Sequence, residues 1–190
     1  MAIRVENYIS KQNYNLLEKN HPPLLERLRE LAPLPAGEVT VGPGGKPNLK
    51  LNDGDHVVYF HPEPDPEAEK HHFLSHIKED FSGVEVILGM GLGYGVKAIL
   101  QQRKSIRYLV IIENDPGIFL QALKYMDLTD LLGDNRVVIG LAPKTPVRVL
   151  GPVQNAILLE DTQILKHPGV EVVFKAAYDR HALGSGSDTA

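Results

Sequence analysis

Four glycines at alternating positions, Gly89, Gly91, Gly93 and Gly95, follow the apolar run Val84–Leu88 and open a helix-forming segment. A second apolar run, Tyr108–Ile112, ends on Glu113. Glycine lets the backbone turn sharply and lie close against a ligand. The helix after such a loop turns its free N–H groups and the positive end of its dipole toward the same point, which suits phosphate. An acid at the end of the second strand is placed to accept hydrogen bonds from ribose hydroxyls. These residue types and spacings therefore allow nucleotide recognition by a βαβ unit, with Gly89, Gly91, Gly93, Tyr94 and Glu113 lining the pocket.

The choice of ligand stays open on the residues. Gly93-Tyr94-Gly95-Val96-Lys97-Ala98 fits the dinucleotide pattern G-x-G-x-x-G/A, with Glu113 about 20 residues on. Its first glycine, however, sits well past the strand end. Aligned from Gly89, the loop reads G-x-G-x-G and resembles motif I of the S-adenosylmethionine-dependent methyltransferases. Those enzymes usually carry an acid two residues before the first glycine, where this chain has Ile87, and another after the third strand, where it has Ile139-Gly140-Leu141-Ala142. A third reading is that the glycines allow close strand–helix packing and bind nothing.

Other polar clusters have simpler readings. His72 and His76 are four apart, so one helical face would present both to a metal. The segment lacks the Glu of a zinc-protease helix, and His71, His72 and His76 read as a histidine-rich surface helix with no metal. Glu63, Asp65, Glu67 and Glu69 read as the acidic start of a helix. Asp127, Asp130 and Asp134 read as caps and turn residues, and Lys144 and Arg148 as loop residues. There is no Gly-x-Ser-x-Gly elbow and no Walker loop. The expectation is no catalytic residue in this chain.

The elements that must position the loop are legible around it. The chain has 190 residues, 43% hydrophobic and 23% charged, enough for one medium domain with an appendage. Its net charge of −4, with no basic cluster, argues against a nucleic-acid partner. It has no cysteine, which excludes disulfides and thiolate chemistry. No segment approaches the roughly 20 apolar residues that span a bilayer, and the N-terminus lacks a signal-peptide core, so the expectation is a cytoplasmic protein. Residues 1–60 read as two helices, Ile9–Glu18 and Pro22–Leu31, then an antiparallel meander of Glu38–Val41, Asn48–Leu51 and His56–Phe60. Residues 61–80 form a proline-stiffened connector and a helix from Pro66 to about Lys78. Residues 81–182 form the α/β region: strands Val84–Leu88, Tyr108–Ile112 and Arg136–Ile139, helices Gly95–Arg103 and from Asp115-Pro116 onward, and a helical turn at Leu128–Leu132. Only three strands are clear. Ala156–Leu159, Val170–Phe174 and Lys175–His181 are elements of unspecified type, and residues 183–190 read as a flexible tail. The fold class is α/β, Rossmann-like, with a partly complete parallel sheet.

Several runs in this order resemble one family: Tyr59-Phe-His-Pro-Glu-Pro-Asp-Pro-Glu-Ala-Glu69, Ile87-Leu-Gly-Met-Gly-Leu-Gly-Tyr-Gly95, Ile111-Ile-Glu-Asn-Asp-Pro-Gly-Ile-Phe119 and Met126-Asp-Leu-Thr-Asp-Leu-Leu132. They resemble the N-terminal domain of the bacterial motility-associated-factor glycosyltransferases, linked to decorating flagellin with nonulosonic, sialic-acid-like sugars. The resemblance runs from about Asn13 to Tyr178 and includes Ile164-Leu-Lys-His-Pro-Gly169, which looks like the exit from the family's domain. It implies a Rossmann-like accessory domain whose partners are a following, sialyltransferase-like catalytic domain and flagellin. It also implies that these residues alone do not transfer sugar. The cofactor is left as a nucleotide or S-adenosylmethionine.

Overall fold

A computed structural model describes residues 4–53, 56–141, 153, 156, 157 and 161–171. Lys144, Arg148, Lys175–His181 and 183–190 lie outside the described residues, as do the second half of Ala156–Leu159 and the last three residues of Val170–Phe174.

Local chemistry sets the N-terminal helices. After a 3-10 turn at Val5–Tyr8, the Ser10 side chain accepts from the amide of Asn13 and starts α1 (Lys11–Asn20), two residues later than the sequence suggests. Pro22, at the first position of α2 (Pro22–Leu31), forgoes a donor that would have no helical partner there. Leu24, Leu25 and Leu28 form the buried face of α2. The buried Asn13 clamps α1 onto the α/β core: its Nδ2 donates to Leu123 O and Met126 O, both at 2.8 Å, and its Oδ1 accepts from Leu128 N at 3.1 Å.

Two sheets follow. Strands β1 (Glu38–Val41), β2 (Pro47–Asp53) and β3 (His56–Tyr59) pair antiparallel in chain order. A 3-10 turn at Pro66–Ala68, capped by Asp65, leads into α3 (Glu69–His76), so the connector helix is shorter than the sequence suggests. The second sheet holds β4 (Val84–Leu88), β5 (Tyr108–Glu113), β6 (Val137–Leu141) and β7 (Thr162–Lys166), all parallel, in the order β6-β5-β4-β7. Helices α4 (Tyr94–Gln102), α5 (Pro116–Tyr125) and α6 (Thr129–Gly133) connect its first three strands.

Strand β7 adds a fourth strand to the three that are clear in the sequence, and Ile164–Lys166 are three of its five residues. It pairs with β4 and is the edge strand among the described residues, and only Leu165 of its five residues is buried. An edge strand lacks the continuous apolar run that marks β4, so its sequence carries little strand signal. Its position has a consequence. The strand order reverses between β4 and β7, so the glycine loop after β4 lies at the sheet's switch point, where such folds bind ligands.

The main core joins α1, α2, α3, α4 and α5 to one sheet face, with Phe73 and Phe119 fully buried. A smaller cluster of Val84, Val86, Val110, Val153 and Ala156 covers the other face. Among the described residues, no helix is long and apolar enough to cross a membrane.

Candidate functional site: a sealed glycine loop

The loop after β4 turns as its sequence requires. Gly89, Gly91 and Gly93 have φ of 79°, 56° and 94°, a region that side-chain-bearing residues rarely enter. Gly93 caps α4, and Tyr94 rather than Gly95 is its first residue.

The space such a loop leaves for a ligand is filled by the protein itself. A Cβ on Gly91 would lie 2.5 Å from His61 Cε1 and 2.6 Å from Phe60 Cε1. One on Gly95 would lie 2.4 Å from the Phe73 ring, and one on Gly89 2.2 Å from Val170 Cγ2. The fillers come from the end of β3, from α3 and from the segment after β7.

The loop's polar groups are engaged in the same way. Glu113, expected beside a ribose, is 1% exposed. Its Oε2 accepts from Met90 N at 2.9 Å and its Oε1 from Asp115 N at 3.0 Å. Burial raises its pKa above the usual carboxylate range, and the N–H groups of Met90, Asp115 and Gly91 oppose that rise. Tyr94 donates its hydroxyl to Pro47 O at 2.7 Å, tying the loop to the antiparallel sheet. The structure thus brings Gly89, Gly91, Gly93, Tyr94 and Glu113 together, each facing other parts of the chain.

Behind the loop stands a cluster that the sequence reading missed: His61, Glu69 and His167, all buried. Glu69 Oε1 accepts from Gly95 N at 2.9 Å, in the first turn of α4. Its Oε2 meets His61 Nδ1 and lies 2.9 Å from His167 Nε2. The backbone fixes both ring tautomers. Leu92 N donates to His61 Nε2 and Gly169 N donates to His167 Nδ1, each at 2.9 Å, so those nitrogens carry no proton. The neutral rings therefore hold their N–H on His61 Nδ1 and His167 Nε2, the atoms that face Glu69. Burial by itself would raise the pKa of Glu69, but the His167 and His61 contacts outweigh it and bring it to about 2. Burial lowers that of His167.

One ligand atom from each of these residues falls within 4.8 Å of the others, which raises the question of a metal. The donor chemistry does not fit one. A metal-bound histidine donates its far N–H to an acceptor, whereas here both far nitrogens face backbone N–H donors. The nitrogens that would bind a cation are the protonated ones.

The histidines singled out by spacing lie elsewhere. The rings of His72 and His76 are 4.3 Å apart, but His76 Nδ1 bonds His72 O at 2.7 Å on an exposed face. Asp127 and Asp134 act as turn residues, accepting from Thr129 N and Arg136 N. A signal for the missed cluster does exist: His61-Pro62 and His167-Pro168 are both His-Pro steps. Proline holds the preceding residue in an extended conformation, which suits a side chain entering a core from a loop.

Comparison with known proteins agrees with this architecture. No curated protein matches the chain. Its fold is similar to that of the solved Maf glycosyltransferase from Magnetospirillum magneticum AMB-1, with a TM-score of 0.50 and 15% identity over 86% of this chain. The match spans 34% of that protein, so the chain corresponds to about a third of its length. Residues 65–136, from the cap before α3 to the residue before β6, match the model of the glycosyltransferase Maf N-terminal domain family, so this part of the chain is similar to that domain.

Proposed function

We propose that this chain serves as a Rossmann-like accessory domain of a flagellin-modifying Maf glycosyltransferase, with sugar transfer carried by a separate catalytic domain. In this reading the glycine loop is architectural. The observation that carries it is the filled switch point: His61, Phe60, Phe73 and Val170 stand against Gly91, Gly95 and Gly89, where a nucleotide would need open space. Glu113 holds the loop's own amides. Binding a nucleotide there would require withdrawing buried side chains from three segments, each contributing about 2 kcal/mol of burial. The domain's contribution is then a rigid surface for the catalytic domain and for flagellin.

A thermal-shift screen against CMP, UDP, NAD and S-adenosylhomocysteine tests this. The expected result is no change in melting temperature with any of them. A ligand present at 100 times its Kd would add about 2.7 kcal/mol of stability. Stabilisation by CMP or UDP that Glu113→Ala removes would overturn the architectural reading for a live sugar-nucleotide site. The same result with S-adenosylhomocysteine would point to a methyltransferase.

A further inference from the structure

The N-terminus of α4 retains the donors of an anion site. The amide of Gly95 points out of the first turn, where the helix dipole favours negative charge. Two imidazole N–H groups, His61 Nδ1 and His167 Nε2, face the other oxygen of the carboxylate that this amide holds. All three donors are buried. His167 Nε2 is 2.9 Å from Glu69 Oε2 but is not aligned for a hydrogen bond, so it is a buried donor without a well-directed partner. Three buried donors thus face one carboxylate, and one of them is left without an aligned acceptor.

We propose that this position is an oxyanion-binding site and that Glu69 is its resident, intramolecular anion. Glu69 reaches it from the first residue of α3, the helix that the Phe73–Gly95 contact presses against α4. Its carboxylate takes the place that a ligand phosphate has in an open glycine loop. The ligand class the site accepts, once Glu69 is shortened, is a small carboxylate or phosphate. Glu69→Ala removes a CH₂ and a carboxylate, the atoms of acetate, and leaves the three donors facing the space. The proposal rests on the closed-loop reading and adds to it the identity of the group that closes the anion position.

Urea unfolding of Glu69→Ala, in sodium acetate or formate against sodium chloride of equal ionic strength, tests it. The expected result is a lowered midpoint in chloride that rises with acetate or formate concentration to a plateau. The wild-type midpoint should be the same in all three salts. A Glu69→Ala midpoint that ignores the anion overturns the proposal. If Glu69→Ala does not fold in chloride, recovery of folded protein in acetate is the expected outcome, and no recovery overturns it. Glu69→Gln keeps the volume and turns an amide N–H₂ toward an imidazole N–H, so wild-type stability in that variant also overturns it. Nitrogen NMR of the wild-type imidazoles provides a readout that needs no variant. Protons on His61 Nδ1 and His167 Nε2 support the proposal, and the opposite tautomers overturn it. Failure of these tests strikes the role of Glu69 alone, whereas nucleotide binding by the wild-type protein strikes the closed-loop reading itself.

Discussion

The two ends of the parallel sheet are built in opposite ways. At the end where the strands finish, the glycine loop is packed against His61, Phe60, Phe73 and Val170, and its amides are held by Glu113, Glu69 and His61. At the end where they begin, the start of β5 and the side of β6 line a cavity of about 490 Å³ with the α1–α2 junction. Asn20, His21, Leu24, Tyr108, Asp134 and Val138 are among its walls. Open α/β sheets ordinarily bind ligands at the finishing ends of their strands. Here the glycine loop at that end is packed and hydrogen-bonded by the chain itself, while a cavity opens at the other. A glycine-rich turn at a switch point is thus compatible with a crevice that the protein fills itself. The difference lies in which residues later elements deliver to it.

The closed end should tolerate change least. Gly91→Val combines a left-handed backbone with a side chain placed against His61 and Phe60. Overpacking and positive φ together should cost about 3–5 kcal/mol, read as a lower urea midpoint or loss of soluble protein. A folded Gly91→Val of near wild-type stability would mean that the crevice has room, and the contrast between the two ends would fail.

A smaller effect, about 2 kcal/mol at pH 8, is expected for His167→Gln, which removes a buried ring packed against Phe60 and beside Glu69. Its pH dependence sharpens the comparison. Burial holds the folded pKa of His167 below its ordinary value, so the unfolded chain binds more protons. The stability it contributes is full above about pH 6.5 and is lost as pH falls. The gap between wild type and His167→Gln should therefore narrow from pH 8 to pH 5, which paired unfolding curves would show.

Nearer the open end the sign reverses. Glu85, second residue of β4, is 1% exposed with its Oε2 unpartnered, and burial raises its pKa to about 7. Its folded pKa lies above the unfolded one, so its ionisation lowers stability as pH rises from 4.5 through about 7. Glu85→Gln should match wild type at pH 4 and exceed it by about 1–2 kcal/mol at pH 8. Equal stabilities at pH 8 would mean that the carboxylate finds compensation in the folded state. The smallest change is expected at the cavity wall. A Cβ on Gly133 would meet nothing within 4 Å, so Gly133→Ala should lie within about 0.5 kcal/mol of wild type.

Much of the fold was legible from local pattern. Pro22, Asp115 and the Leu24–Leu28 stripe mark helices that form where they predict, and the run Val84–Leu88 is a strand buried over its first four residues. Strand β7 was not legible, because Thr162-Gln-Ile-Leu-Lys166 is an edge strand with one buried residue and its identity comes from pairing with β4. The site was legible by half. The loop glycines, Tyr94 and Glu113 stood out by spacing and do meet in space. His61, Glu69 and His167 did not, because they sit on three separate elements and each has an ordinary local explanation: a connector, a helix start, the end of a strand.

What the sequence by itself determined is the path of the backbone at the switch point. An apolar strand, glycines able to take positive φ and a following helix permit few other conformations, since these preferences act over a few residues. What only the tertiary structure decided is what occupies the space beside that turn. The contacts of His61, Glu69 and His167 form only when β7 lies against β4 and α3 lies against α4. Their tautomers and charges follow from amides that no single segment contains. Burial and hydrogen bonding are properties of the assembled surroundings, and these made a loop with a nucleotide-binding pattern into a closed polar core.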